Sequence, residues 1–137
     1  MRRLTVLLFA ALMFSVPAHA ESVVLIAHRD STQGEIKREE AADLFLGKRR
    51  TLNGQPVNIL DISDERLQEI VYQGIAEMSF IRVKAYWARL VFSGQGRPPP
   101  RISPVEAVDR INQDKSAITY AYASAIPRNS KVLLRLQ

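Results

Sequence analysis

The chain contains no cysteine. Disulfides are therefore excluded, as are thiolate-based zinc sites and attachment of a lipid to a cysteine at a processing site. Histidine is almost as scarce. There are two in 137 residues, and one of them, His19, falls in the leader described below. His28 alone does not make a metal centre, and none is expected. No G-x-S-x-G motif occurs, so there is no nucleophile elbow. The only constellation from which a hydrolytic triad could be drawn is His28 and Asp30 with Ser31 or Ser63, and a solvated loop explains those residues as well. No internal repeat and no low-complexity segment is present. The 19 basic residues are scattered among 14 acidic ones, which argues against nucleic acid as a partner.

The longest apolar run stands at the start. Arg2 and Arg3 precede Leu4 to Val16, and Ala18-His19-Ala20 places small residues at the positions a signal peptidase reads. That is the layout of a secretory signal peptide, with cleavage expected after Ala20. A transmembrane anchor is the alternative, but the run falls short of the ~20 residues that span a bilayer. The residues after the paired arginines lack a twin-arginine pattern, so Sec export to a bacterial periplasm is expected. Removal of 1–20 leaves 117 residues, which suits one domain over 21–137. Arg2 and Arg3 leave with the leader, so the formal charge of +5 falls to about +3 in the mature chain. This mild excess is compatible with an anionic ligand and does not demand one. With no disulfide, stability must come from packing.

The mature chain alternates strand and helix signals. Ser22 to Ala27 (SVVLIA) reads as a buried strand. Ile36 to Leu46 reads as a helix closed by Gly47, with Lys48, Arg49 and Arg50 at its negative end. Asn53-Gly54 marks a turn, and Val57 to Ile62 a second strand. Ser63 is the expected N-cap of the next helix, with Asp64 and Glu65 in its first turn and an apolar stripe through Leu67, Ile70, Val71, Gly74, Ile75 and Met78. Ser79 caps a helix over Phe80 to Phe92. Its inner face is expected to carry Phe80, Val83, Trp87, Leu90 and Val91, with Tyr86 and Phe92 also assigned to the core. Ser93 to Pro100 (SGQGRPPP) is a shaped loop. Ser103 and Glu106 form a capping box with Pro104 at the first helical position. Ile118 to Ala123 and Lys131 to Leu136 are the last strands. The expected fold is α/β, with a small, mainly parallel sheet flanked by helices.

Two places could hold an anion. Asp61-Ile62-Ser63-Asp64 ends a strand and opens a helix, where free amides point towards the carboxyl edge of a sheet and the Ser63 hydroxyl could donate. A plain N-cap explains Ser63 equally, and Asp64 and Glu65 oppose an anion there. Gly94-Gln95-Gly96-Arg97 is the second. Glycines let amides approach a ligand, and Arg97 could pair with two oxygens, although a turn with a solvated arginine fits too.

These pieces resemble the periplasmic substrate-binding proteins of phosphate ABC transporters, and their short single-domain relatives more closely. The residues that carry the resemblance are Glu40 to Lys48 (EAADLFLGK), similar to the family's helix ending in a Phe/Tyr-Leu-Gly-Lys turn, the strand Val57 to Ile62 with the helix from Ser63, the stretch Tyr86-Trp87 to Gly96-Arg97-Pro98, and Ala117 to Ala121 (AITYA). Full-length members have two lobes of the periplasmic binding fold and hold the anion between them. The resemblance therefore implies a single lobe of the type II kind over 21–137. It also implies no enzymatic activity and no cofactor. A small oxyanion such as phosphate would be the ligand, and an inner-membrane transporter or sensor protein the partner. Ser63, Asp64, Gly94, Gly96 and Arg97 are the expected ligand residues. The family's Arg-x-Asp-Gly-Ser-Gly-Thr loop is altered here. Its glycines are absent, Asp61 stands about where its arginine would be, and only Ser63 and Asp64 have counterparts. An interaction module that has lost its ligand is the competing reading.

The leader yields a direct test. Mass spectrometry of protein recovered from the periplasm is expected to show a mature N-terminus at Glu21. A full-length membrane-bound species as the main product would overturn the signal-peptide assignment.

Overall fold

A computed structural model of the chain describes residues 21–136. The expected signal peptide and its cleavage after Ala20 lie outside the described residues. The fold is built around β1 (Val23–His28), all six residues of which are buried. An apolar run with no alternation is what a strand covered on both faces requires. α1 (Arg38–Phe45) starts two residues later than its periodicity suggests, because the Ile36 amide is committed to the Leu133 carbonyl at 3.0 Å. The next pair, β2 (Thr51–Leu52) and β3 (Gln55–Pro56), turns through Asn53 and Gly54, both at positive φ, as a tight hairpin demands.

The expected strand 57–62 is divided. Its first part, β4 (Asn58–Ile59), and its second, β5 (Asp61–Ile62), belong to different sheets. After them come α2 (Glu65–Ala76), α3 (Phe80–Phe92), β6 (Arg101–Ile102), α4 (Pro104–Gln113), β7 (Ala117–Tyr122) and β8 (Ser130–Leu136). The main sheet has the order β4-β7-β1-β8, and β5 pairs with β6 in parallel beside it. The chain switches partner at Leu60, whose amide still donates to Ile118 of β7, whereas the Asp61 amide donates to Pro100 ahead of β6.

The α/β class holds, but the expectation of a mainly parallel sheet does not. β1 runs antiparallel to both β7 and β8, and only β4 is parallel to its neighbour β7. The apolar run of β1 reports burial on both faces, not strand direction. Cover comes from α2, which packs on β1, β5 and β8, and from α4, which packs on β1 and β7. The last connection is short. β7 ends beside Val23 and β8 begins beside His28, so residues 123–129 run back along the whole of β1. The segment opens with one turn of 3-10 helix, Ala123–Ala125; with ~2 Å per residue there and ~3.3 Å beyond, it still reaches ~19 Å, and the return needs ~17 Å.

Three corrections concern helix ends and faces. The N-cap of α2 is Asp64, not Ser63; its carboxylate accepts the Leu67 amide at 3.0 Å. Ser103 caps α4 as expected, but Glu106 turns to Arg110 at 3.6 Å instead of closing the box. Phe92 is exposed and Val91 half-exposed, so the inner face of α3 is carried by Val83 and Trp87, with Phe80, Tyr86 and Leu90 partly buried.

Trp87 fastens α3 to the end of α1. Gly47 stands at φ +72°, and a Cβ there would lie 2.8 Å from the indole, so only glycine admits this contact. Next to it the Tyr86 hydroxyl donates to the Leu46 carbonyl at 2.7 Å. Trp87→Ala is therefore expected to destabilise the domain by about 3 kcal/mol or more. The check is the shift in denaturant midpoint against the wild type; coincident midpoints would show that this contact is not part of the core.

Candidate functional site

The junction between β5 and α2 is where the sequence places a helix N-terminal anion seat. The Ser63 amide and hydroxyl both donate to the Ile102 carbonyl, at 2.9 and 3.0 Å. Ser63 thus joins the start of α2 to β6. The Asp64 carboxylate takes the Leu67 amide, a donor that an anion at this end would seek. Negative charge already stands where the helix dipole favours it.

In the sequence Asp61 ends a strand and stands about where the resembled family's loop has an arginine. The structure buries it to 5% exposure. The Tyr72 hydroxyl donates to Oδ2 at 2.9 Å, the Tyr120 hydroxyl donates to Oδ1, and the Ile62 amide donates to Oδ1 at 3.1 Å. Burial, then the charge of Asp61 and its hydrogen bonds, push both tyrosine hydroxyls well above their ordinary range. Both are thereby kept protonated as donors. Arg101 lies opposite Asp61 across the β5–β6 pair and donates to Gln68 Oε1 at 3.0 Å. Phe45 of α1 packs against both tyrosine rings, with centroids 6.3 and 5.8 Å away. The cluster therefore joins α1, α2, β5 and β7.

The loop after α3 is arranged differently. Ser93, Gly94 and Gln95 donate their amides to Arg89, Val91 and Leu90, closing the helix, and Gly94 stands at φ +69°. The amides of Gly96 and Arg97 have no acceptor among the described residues. This loop forms one wall of an open groove of about 490 Å³. The other wall comes from the turn after α1, and Tyr86 and Trp87 contribute to the lining. Arg49, Arg50 and Arg97 all line the groove, and no carboxylate does. Arg49 is held by Glu40 and Asp43, at 3.7 and 3.9 Å. Arg50 and Arg97 have no carboxylate within 4.0 Å among the described residues.

Gly94, Gly96 and Arg97 are thus brought together, with Arg50 added. Ser63 and Asp64 line no part of that groove. The sequence signal for Arg50 was the run Lys48-Arg49-Arg50, which was assigned to the helix dipole alone. His28 and Asp30 are 4.0 Å apart, but the Asp30 amide donates to His28 Nδ1, and the Ser31 hydroxyl accepts the Gln33 amide. That is a local turn with no serine directed at the imidazole. Among the described residues, no three His, Asp or Glu side chains gather as a metal site.

Solved structures decide the fold. An ABC-type phosphate transport receptor from Vibrio cholerae matches over 82% of this chain and 45% of its own, with 9% identity and a TM-score of 0.54. A protein described as a phosphate ABC transporter substrate-binding protein with bound phosphate, from Clostridium perfringens, matches over 82% and 44%, with 16% identity and a TM-score of 0.55. PstS from Borrelia burgdorferi matches over 82% and 46%, with 10% identity and a TM-score of 0.58. The fold is that of a single lobe of a periplasmic binding protein. The resemblance read from the sequence is shown at that level, and the chain spans less than half the length of the solved proteins it matches. No protein-family model and no curated protein sequence matches the chain. No helix among the described residues is long and apolar enough to cross a membrane.

The buried tyrosines make the stability of this lobe fall at alkaline pH. Tyrosine in the unfolded chain ionises near pH ~10, whereas Tyr72 and Tyr120 stay protonated in the fold. Their contribution to stability is complete below pH ~10 and is lost as pH rises beyond it, because the unfolded state then holds fewer protons. Together they are expected to give a slope that averages about −1.4 kcal/mol per pH unit between pH ~9 and ~11 and steepens towards about −2.7 above that. Denaturation curves taken between about pH 9 and 11 check this; a Tyr120→Phe chain should lose about half of the slope.

Proposed function

We propose that the chain is an exported, non-enzymatic binding protein, with residues 21–137 as its mature domain, acting in the periplasm after removal of residues 1–20. Its ligand is a small oxyanion such as phosphate, held weakly, and its partner is an inner-membrane transporter or sensor protein. The lobe fold supports a binding role, since one solved neighbour is described as a phosphate transport receptor and another as a substrate-binding protein with bound phosphate. One observation carries the choice of ligand class: Arg50 and Arg97 line one groove that contains no carboxylate, next to the unengaged amides of Gly96 and Arg97. An oxyanion there receives charge-assisted hydrogen bonds from two guanidinium groups and backbone donors. Gly94 shapes the loop, Ser63 acts through the fold by joining β6 to the start of α2, and Asp64 by capping α2.

Two features make the binding weak. The groove is open to solvent, so the ion pairs are screened. It also lies at the C-terminal turns of α1 and α3, where helix dipoles disfavour an anion. The competing reading, an interaction module without a ligand, is favoured by the Asp64 carboxylate standing at the N-terminus of α2.

Calorimetric titration of the mature protein with phosphate and with sulfate separates the two readings. The expected dissociation constant is on the order of 0.1–1 mM. Arg97→Ala and Arg50→Ala are each expected to weaken binding by roughly fivefold or more, and added salt to weaken it further. Unchanged affinity in both variants would remove this groove as the site. An absence of saturable heat with any oxyanion at millimolar concentration would give the lead to the interaction module.

A further inference from the structure

α3 is apolar on two opposite faces. One is turned inward through Val83, Trp87 and Leu90. The other consists of Ile81, Ala85, Ala88 and Phe92, spaced i, i+4, i+7 and i+11, all of them exposed. At 100° per residue these four fall within an arc of about 60° that points away from the core. Phe92 is 92% exposed and Ile81 79%. The flanks of the stripe are basic. Arg82 and Arg89 lie on one side, and Lys84, paired with Glu65 at 4.0 Å, lies on the other. The helix itself contains no acidic residue. Val91, beside the stripe, lines a cleft together with Arg50 and Arg97, so the cationic character continues past the end of the helix.

We propose that this face of α3 seats the domain on an anionic lipid surface. The charge pattern decides the occupant. An apolar stripe edged by arginines matches acyl chains beneath anionic headgroups. A second copy of the chain would bring Arg82 and Arg89 against like charges, with no carboxylate on α3 to answer them. The area also argues against a stable dimer. Two large side chains separated by two alanines cover on the order of 400 Å², about half of the ~800 Å² that each partner of a standard interface contributes. Two protruding side chains about 16 Å apart on the helix need matching pockets in a protein partner, whereas a fluid lipid surface accommodates them without any. The seat is independent of the oxyanion groove, because its defining residues, Ile81, Phe92, Arg82 and Arg89, are not assigned to that site.

The test is co-sedimentation of the mature protein with two kinds of vesicle. One is pure phosphatidylcholine; the other contains equal parts of phosphatidylcholine and phosphatidylglycerol. Binding to the anionic vesicles is expected to exceed that to the neutral ones by about 25-fold or more, and about 0.5 M salt should release most of it. The Ile81→Ser/Phe92→Ser chain is expected to lose at least about tenfold in binding. In the Arg82→Gln/Arg89→Gln chain the preference for anionic vesicles should fall by about fivefold per arginine. All four positions are exposed, so circular dichroism and melting temperature should match the wild type and exclude misfolding as the cause. Three outcomes would overturn the proposal: no sedimentation of wild type with anionic vesicles, undiminished binding by the serine chain, or a dimer in sedimentation equilibrium that the serine substitutions convert to monomer.

Discussion

Asp61 is the constraint around which this lobe is assembled. Among the described residues it is the only acidic or basic side chain, histidine aside, in the buried set. Removing a carboxylate from water costs several kcal/mol unless donors replace the hydration. Here the Tyr72 and Tyr120 hydroxyls and the Ile62 amide supply them. Each donor comes from a different element, so the carboxylate is satisfied only when β5, α2 and β7 are all in place. That requirement acts where the chain leaves the main sheet to pair with β6, which is the point at which a continuous strand would otherwise extend along β7. The cluster thus ties the point of division to α2 and β7.

The same commitment shapes what the lobe can bind. A phosphate loop at this junction would need unengaged amides and a cation. Asp61 instead points inward, Ser63 is tied to Ile102, and Asp64 holds the first turn of α2. Positive charge is gathered instead in the groove between the turns that follow α1 and α3, where Arg49, Arg50 and Arg97 meet Tyr86 and Trp87. Arg49 is already engaged by Glu40 and Asp43, whereas Arg50 and Arg97 have no carboxylate within 4.0 Å among the described residues. The groove is open to solvent, so charges lining it are screened. Any oxyanion proposed for this groove would meet screened charges in an open site, in contrast to capture inside a closed cleft.

Much of the fold was legible because its signals are local. Ser79, Ser103 and Pro104 start their helices where the side chain demands it, and Gly47 and Asn53-Gly54 turn where positive φ is needed. Long-range relations were not legible. The run Val23 to Ala27 reports burial on both faces and contains nothing about strand direction, so the antiparallel pairing with β7 and β8 could not be read from it. Nor could the division of 57–62, which depends on a hydrogen bond from Asp61 to a carbonyl 39 positions away. The N-cap moved by one residue because Ser63 has a competing acceptor in Ile102. At the candidate site Gly94, Gly96 and Arg97 were visible as a shaped loop. Arg50 was visible only as one charge in a run, since its proximity to Arg97 is a product of the Gly47–Trp87 contact.

α3 shows why periodicity alone misassigned a face. Its sequence, FIRVKAYWARLVF, has apolar side chains around most of the helical circumference, so a pattern search finds an inward stripe and counts its neighbours into it. Fixing Trp87 against Gly47 removes the freedom. Val91, four positions on, is then turned about 40° from the indole, at the rim of the contact, and Phe92, five positions on, is turned about 140°, into solvent. No rotation of the helix can bury Trp87 and Phe92 together. Phe92 and Ile81, eleven positions apart and so nearly aligned, are exposed for one geometric reason. An aromatic ring held clear of the fold by the residue that anchors the helix is not a leftover of core packing. It is a feature that the lobe presents outward while keeping the inner face intact.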